Sequence, residues 1–359
     1  MKVGIVGMPN AGKSSLFSAL TGVAAEAANY PFTTIEPNVA VVPVADDRLN
    51  EVAATVRASK VVPDTIAFHD IAGLVAGAHR GEGLGNQFLA NIRETDALVH
   101  VVRVHDDSNV VHPEGRVDPL ADIETIETEL VYADLEQAER RLERVAKAAK
   151  SLDRRAVAEA DWLREVIEAL QAGRPARTVP PPADAADAMQ LLSPLTAKPV
   201  LFVANVSEGE VAVPAEIVAH AEAVGAEAVA VSARLEAELA ELGPEDAAAM
   251  RADLGLSESG LTTVVRGAFS LLKLVAFFTA GEDKPAQSWH LRRGLTAWHA
   301  AGLIHSDIQR GFVRAEVVSW DALVQAGGYA GARERAALRL EGRDYVVQDG
   351  DVITVKFTP

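Results

Sequence analysis

The stretch "KVGIVGMPNAGKSSLFSAL", residues 2–20, decides the class of fold. It begins with an apolar run typical of a buried strand, continues in a glycine-rich turn and ends in a helical pattern. Inside it, "GMPNAGKS" fits the phosphate-loop pattern G-x-x-x-x-G-K-[ST] from Gly7 to Ser14. Because the strand, turn and helix context is complete, we predict a nucleotide-phosphate site. The residues predicted to line it are Pro9, Asn10, Ala11, Gly12, Lys13, Ser14 and Ser15.

Further strand-like runs follow this first one along the chain. They occupy residues 38–44, 65–70, 97–104, 199–205 and 228–233, with helical patterns between several of them. Near-continuous apolar strands that alternate with helices are typical of a mostly parallel sheet covered on both faces. The sequence therefore predicts an α/β fold, and the phosphate-loop pattern together with the switch-like segments described below favours a P-loop NTPase domain of the Ras-like G-domain type.

The interval between the fourth and fifth of these strands is much longer than an ordinary crossover. Apolar residues repeat there in a heptad pattern, which a second helical pattern follows, ending near Gly173. The pattern consists of Val131, Leu135, Ala138, Leu142, Val145, Ala149 and Leu152. It predicts an inserted α-helical coiled-coil hairpin. The alternative is two ordinary helices packed on the sheet. The proline-rich "GRPARTVPPPAD" is predicted to be non-helical and to close the insertion.

The secondary-structure pattern of the sequence changes near Leu274, where strand-rich segments with Gly-Asp turn signals begin. This pattern predicts that the C-terminal segment forms a small α+β domain. We therefore predict a G domain from residues 1–120 and 196–273, a coiled-coil insertion from 121–195, and a C-terminal domain from 274–359.

Composition limits the functional classes. Of the 359 residues 49% are apolar and 24% are charged, which is typical of a globular protein, and there is no cysteine to serve as a nucleophile or metal ligand. The net charge of −17 argues against a surface that binds nucleic acid as a whole, but not against a local basic patch. No run is long enough to span a bilayer, and no signal peptide is evident, so we expect a cytoplasmic protein without membrane contact.

Two further segments fall where a nucleotide switch holds Mg²⁺. Asp70 and Gly73 have D-x-x-G spacing at the end of the third of these strand-like runs. Asp70 would join Ser14 in the Mg²⁺ shell, and the Gly73 N–H would sense the γ-phosphate. Thr34, in the loop before the second strand-like run, would supply another hydroxyl to the metal.

The residue after Gly73 is Leu74, where Ras-like switches carry the glutamine that orients the attacking water. Leucine cannot make that hydrogen bond. Either hydrolysis is inefficient or another group positions the water. His105 and His112 lie in the following loop, but the residues alone favour neither, since a loop histidine is usually plain surface.

The base-reading loop is predicted at "NVSE", which begins with Asn205 at the end of the strand-like run 199–205. Guanine switches carry Asn-Lys-x-Asp here, so Val206 and Glu208 depart from that pattern. Ser232 and Ala233, at the end of the strand-like run 228–233, would present backbone amides to the base. Glu208 moves the carboxylate by one methylene, and Val206 would offer an apolar face in place of a lysine stem. These changes weaken the case for guanine without establishing adenine.

The chain resembles the Obg-like ATPase family, which includes the YchF proteins. The resemblance is carried by "GMPNAGKSSLFSAL", "NYPFTTIEPN", "DIAGLVAGAHRGEGLGNQFLANIRETDA", "NVSE" and "DYVVQDGDV". It implies an ATP-preferring P-loop domain, a coiled-coil insertion and a C-terminal TGS domain of β-grasp fold. It also implies ribosome association, an N-x-x-E base loop, and His112 in place of the missing glutamine. The segment from Lys284 to Asp307 keeps only the outline of its family counterpart.

Basic residues cluster in the insertion. Seven lysines and arginines lie between residues 140 and 155, against Glu143 and Asp153. Arg140, Arg144 and Lys147 share one helix face. This stripe is either a solvated helix face or a phosphate-contacting surface for ribosomal RNA.

Three functional hypotheses follow. The first is a Mg²⁺-dependent ATPase, expected to be monomeric, that acts as a nucleotide switch on the ribosome. The second is an Obg-type GTPase in which Glu208 still reads guanine. The third is a non-catalytic scaffold that binds nucleotide for stability and the ribosome through its coiled coil and tail.

Overall fold

The computed structural model describes residues 1–26, 38–71, 84–105, 115–150, 153–256 and 258–358. Five residues that the sequence analysis singles out lie outside these ranges, so their predicted roles stay predictions. They are Thr34, Gly73, Leu74, His112 and Leu152.

The described residues form twelve strands: β1 (Lys2–Val6), β2 (Val39–Pro43), β3 (Lys60–Val62), β4 (Thr65–Asp70), β5 (Ala97–Arg103), β6 (Val200–Asn205), β7 (Glu227–Val231), β8 (Leu274–Thr279), β9 (Pro285–Arg292), β10 (Phe312–Ser319), β11 (Arg339–Glu341) and β12 (Asp351–Phe357).

Fourteen α-helices fall within the same described ranges: α1 (Lys13–Glu26), α2 (Asp47–Val56), α3 (Leu84–Arg93), α4 (Pro119–Ala149), α5 (Arg154–Gln171), α6 (Ala188–Leu192), α7 (Ala215–Ala223), α8 (Ala233–Leu239), α9 (Pro244–Asp253), α10 (Gly260–Leu271), α11 (Ala297–Ile304), α12 (Ser306–Arg310), α13 (Trp320–Gln325) and α14 (Tyr329–Glu334). None of these helices is both long enough and apolar enough to cross a membrane.

The chain divides into two compact units. Counted over the described residues alone, the first unit falls within 1–25, 38–40 and 67–271, and the second unit within 26, 41–66 and 272–358. The sequence analysis assigns 41–66 to the G domain, whereas the structure groups this segment with the second unit. The reason is strand pairing, since β3 lies parallel to β9 with Lys60 opposite Pro285. The limits of the insertion, at 120/121 and 195/196, remain predictions.

The first sheet has the order β2-β4-β1-β5-β6-β7. The pairs β1–β4, β1–β5, β5–β6 and β6–β7 are parallel, which confirms the predicted α/β class. Every residue of β5 is buried, as its unbroken apolar run predicts. Because the strands are parallel, the ends of β1, β4, β6 and β7 meet at one edge, and the register places Ile5 opposite Asp70 and Asn205 opposite Val231.

Helices α4 and α5 form the predicted helical hairpin. Each begins with an aspartate cap, because Asp118 accepts from the Ala121 N–H and Asp153 from the Ala156 N–H. Five of the heptad positions pack in one cluster with Trp162, Leu163 and Val166 of α5; these positions are Val131, Leu135, Ala138, Leu142 and Val145. The heptad pattern therefore marks a real packing seam, whereas Leu152 lies outside the described residues.

The segment after α5 covers the hairpin rather than only closing it. Short 3₁₀ turns at Ala176–Thr178 and Ala183–Ala185 join the same apolar cluster, and the Trp162 indole donates to the Val179 carbonyl at 3.0 Å. Proline excludes an α-helix there, as predicted, but not a 3₁₀ turn.

One buried carboxylate on α4 binds the segment that follows the hairpin. Asp134 of α4 accepts from the N–H groups of Leu195 and Thr196, at 2.8 Å each, and from the Thr196 hydroxyl at 2.7 Å. Burial raises the pKa of Asp134, while these hydrogen bonds oppose that shift.

The second unit is built on a mixed sheet with the order β11-β10-β12-β8-β9-β3. β10 runs antiparallel to β11 and β12, and β8 antiparallel to β9. Helix α11 begins with a capping box in which Thr296 and His299 satisfy each other's backbone N–H groups. The α+β character of the tail is confirmed, but the TGS assignment stays a prediction.

Candidate phosphate and base site

The loop between β1 and α1 adopts a backbone that only glycine accommodates at two positions. Gly7 has φ 153° and Gly12 has φ 102°. A Cβ on Gly7 would lie 2.4 Å from the Val101 carbonyl oxygen of β5. The phosphate-loop pattern therefore coincides with a real requirement for glycine, and the loop leads into the first turn of α1, whose N–H groups have no helical acceptor.

Lys13 is the buried cation of this loop, with 7% of its surface exposed. Its Nζ donates to the carbonyls of Gly7 at 3.1 Å and Met8 at 2.8 Å. Burial lowers the pKa of Lys13 to about 8, and the negative charge of Asp70 offsets only part of that shift. An incompletely compensated buried cation beside a helix N-terminus is suited to binding an anion.

Ser14, which directly follows Lys13, and Asp70, whose charge acts on Lys13, carry the hard oxygen atoms that we predict to bind Mg²⁺. The Ser14 side chain is exposed at the start of α1. Asp70 ends β4, and burial raises the pKa of its carboxyl while Lys13 lowers it. Within the described ranges, no group of three or more His, Cys, Asp or Glu side chains is placed to hold a metal ion. A hydroxyl and a carboxylate still fit Mg²⁺, which takes its other ligands from phosphate and water.

Asn205 joins the base loop to the phosphate loop. Its Nδ2 donates to the Ala11 carbonyl at 3.0 Å, and its Oδ1 accepts from the Ala233 N–H at 3.0 Å. The side chain is 6% exposed, and a Cβ on Gly12 would lie 2.2 Å from Nδ2. The predicted base reader therefore also holds together the turn before α1 and the start of α8. Nothing in the sequence signals this second role.

Val206 does not occupy the position that its alignment with a lysine stem suggests. Its side chain is 2% exposed and packs in a core cluster that includes Phe202 and Ile217. The Val206 N–H donates to the Val231 carbonyl at 3.1 Å. In this structure the valine belongs to the core and presents no apolar face to a base.

Glu208 is exposed, and its carboxylate lies 3.9 Å from the Arg234 guanidinium. Arg234 also pairs with Glu238 at 3.0 Å. Exposed pairs of this kind contribute little to stability. Sequence reasoning missed Arg234, although its place directly after Ser232 and Ala233 is a usable signal.

The structure thus brings together most of the predicted site. The phosphate-loop residues, Asn205 and Ala233 are linked by hydrogen bonds, and Asp70 interacts electrostatically with Lys13. His105 is described, and its carbonyl accepts from Nε of Arg103, a buried arginine that sequence reasoning also missed.

Comparisons with known proteins agree with this architecture. A family model described as "50S ribosome-binding GTPase" matches residues 2–145, and the model YchF-GTPase_C, described as "Protein of unknown function (DUF933)", matches residues 274–358. The chain is 48% identical to the "Ribosome-binding ATPase YchF" of Bacillus subtilis and 46% identical to that of Escherichia coli O157:H7, with 99% of both chains covered in each case.

Two solved structures are also similar. "Structure of the Schizosaccharomyces pombe YchF GTPase" matches with a TM-score of 0.88 and 33% identity, over 99% of this chain and 97% of that one. A GTP binding protein from Pyrococcus horikoshii matches with a TM-score of 0.64 and 22% identity over 100% of both chains, which supports the fold alone.

Proposed function

This chain belongs to the YchF family, and we propose that it is a Mg²⁺-dependent ATPase that binds the ribosome and acts as a nucleotide switch in translation or stress regulation. The names of the relatives support ribosome binding and ATP hydrolysis. The observation that carries the proposal is the hydrogen bond from Asn205 to Ala11, which holds the loop predicted to read the base against the predicted phosphate loop. A cytoplasmic location and a monomeric state belong to the same proposal.

The phosphate end of the site would bind the β- and γ-phosphates through Lys13 and the first-turn amides of α1. Ser14 and Asp70, together with Thr34, would hold Mg²⁺, which neutralises charge on the transferred phosphoryl group. The Gly73 N–H would contact the γ-phosphate. His112 would position the attacking water that Leu74 cannot orient. The roles proposed for Thr34, Gly73 and His112 rest on the sequence analysis alone.

The pKa of Lys13 leads to a pH-dependent prediction. Bound phosphate favours the charged ammonium and raises a pKa that stands at about 8 in the free protein. At pH values between the Lys13 pKa of the free protein and its higher pKa in the complex, Lys13 should therefore take up a proton when ATP binds. Over this pH range the affinity for ATP should fall by up to about tenfold per pH unit. Calorimetry at pH 9 in two buffers of different ionisation enthalpy measures the uptake. Lys13→Met is the control that should remove it, and equal heats for the wild type in both buffers would contradict the prediction.

The choice of base is the next prediction. Guanine offers N1–H and an N2 amine to a short carboxylate, and Glu208 places its carboxylate one methylene farther out on an exposed loop. We expect calorimetry to show that ATP binds more tightly than GTP, by about tenfold or more, since mispaired polar groups are costly. Glu208→Asp restores the shorter carboxylate of guanine switches, so it should reduce the difference between the affinities for ATP and GTP.

Tighter binding of GTP by the wild type would instead establish the Obg-type GTPase. That alternative is kept because the Schizosaccharomyces pombe relative is titled a GTPase.

Acidic side chains compensate more of the positive charge of the hairpin's basic stripe than the sequence alone suggests. Arg140 pairs with Glu136, Arg141 with Glu159, Arg154 with Asp184 and Arg155 with Asp187. Arg144 and Lys147 remain exposed on the face of α4 that Arg140 shares. We propose that this face contacts ribosomal RNA.

We expect Arg140→Glu combined with Arg144→Glu to weaken co-sedimentation with ribosomes. If both contact phosphates, the salt dependence, as log K against log salt, should become shallower by about 1.5. A double variant with the same charge change, Arg164→Glu with Arg174→Glu near the far end of α5, is the control. If the two double variants weaken co-sedimentation equally, the basic stripe is a solvated helix face and does not contact ribosomal RNA.

A further inference from the structure

Strand β7 is the last strand of the first sheet, and one of its edges is unpaired in the part of the chain that the structure describes. The Val231 carbonyl points to β6, where it accepts from the Val206 N–H. Since strand backbone groups alternate in direction, Ala228 and Ala230 direct their N–H and C=O groups away from β6. Such an edge is a template for another strand.

A groove of about 470 Å³ runs along this edge, and it is lined by Ala228 to Ser232, by the loop after β6 and by the segment around the start of α10. We call it the β7 groove. Its apolar lining includes Val211, Val213 and Leu256, and Val211 is 71% exposed. Ala228 and Ala230, which are half-buried, therefore border this groove beside side chains that would contact a bound segment.

The β7 groove carries negative charge. Its described lining includes Glu210, Glu236 and Glu258 and no lysine, arginine or histidine. Glu236 accepts from the Ser259 hydroxyl and the Gly260 N–H and lies 4.0 Å from Arg251, and Glu258 lies 3.2 Å from Arg266, so an arginine partly compensates each of these two carboxylates. Glu210 is exposed on the opposite wall, where its carboxylate accepts from the Ser207 N–H and no arginine or lysine is paired with it among the described residues. The occupant that complements these walls is positively charged.

We propose that the β7 groove binds an extended, lysine- or arginine-containing segment of a partner protein by β-strand addition. Backbone hydrogen bonds to Ala228 and Ala230 give the affinity, and the glutamates select basic side chains. A second copy of this chain is the less favourable occupant, because pairing two β7 edges would bring two acidic walls together in a protein of net charge −17.

The test uses the full chain and a defined probe, the peptide acetyl-(Lys-Val)₃-amide. Binding is followed by the backbone amide NMR signals of Ala228 and Ala230. The basic peptide should shift these signals, whereas acetyl-(Glu-Val)₃-amide should not. A basic peptide that is N-methylated at alternate residues should bind about fivefold more weakly or worse, because each lost hydrogen bond costs roughly that factor. Equal binding of the methylated peptide would overturn strand addition, and equal binding of the acidic peptide would overturn the charge selection.

Two sets of variants test the groove from the protein side. Ala230→Pro removes the outward N–H and keeps the inward pairing of β7, so it should weaken binding, whereas Ala230→Gly keeps the N–H and should not. Glu210→Lys and Glu258→Lys leave the strand intact and should reverse the preference between the two peptides, even if the proline variant fails to fold. Unchanged preference in both charge variants would refute the proposal. So would a concentration-dependent dimer that Ala230→Pro abolishes, since the occupant would then be a second copy.

Discussion

Lys13→Ala is expected to reduce single-turnover ATP hydrolysis to background, a loss of about 10³-fold or more, which is the scale for removing a preorganised charge from a reacting group. Nζ of Lys13 already donates hydrogen bonds to the carbonyls of Gly7 and Met8. Lys13 is buried, and the charge of Asp70 only partly compensates its positive charge. Rapid mixing of excess protein with Mg²⁺ and ATP measures the rate. Lys60→Ala, which removes an exposed lysine of β3, should leave it unchanged.

The same experiment separates an enzyme from a scaffold. If the wild type hydrolyses ATP no faster than Lys13→Ala, the chain binds nucleotide without catalysis and the scaffold hypothesis gains. His112→Ala should lower the hydrolysis rate while ATP affinity stays close to that of the wild type, since its proposed role concerns only the attacking water. His105→Ala is the matched control from the same loop. Equal rates for His112→Ala and the wild type would assign the water-positioning role to another group.

Asn205→Asp is expected to destabilise the protein and to abolish nucleotide binding. The substitution keeps the shape of the side chain and the acceptor for the Ala233 N–H, but it replaces the donor to the Ala11 carbonyl with a carboxylate oxygen. A buried negative charge facing a carbonyl should lower the free energy of unfolding by about 3 kcal/mol. Denaturant unfolding of the nucleotide-free protein measures this loss.

A matched control for this prediction is Asn91→Asp, which makes the same chemical change at an exposed residue of α3. It should alter stability by less than about 0.5 kcal/mol. If Asn205→Asp unfolds like the wild type and loses only nucleotide affinity, then Asn205 acts solely on the base, and the link between the two loops is not structurally important.

The sequence by itself determined the features that depend on local pattern. The apolar strands, the glycine-rich loop from Gly7 to Ser14 and the heptad seam of the hairpin were all predictable, because strand and helix periodicity and positive φ angles are properties of neighbouring residues. The motif spacing also placed Lys13, Ser14 and Asp70 near one another, because parallel strands end at the same edge of a sheet.

Only the tertiary structure decided which distant groups meet. Asn205 and Ala11 are 194 residues apart, so their hydrogen bond leaves no local signal. The burial of Val206, the pairing of β3 with β9 and the aspartate partners of Arg154 and Arg155 depend likewise on long-range packing. The edge of β7 that no strand of the described ranges pairs with is of the same kind, since the sequence of a strand does not show whether another strand lies beside it. Sequence pattern specifies what each segment can form, whereas burial and pairing depend on the whole folded chain.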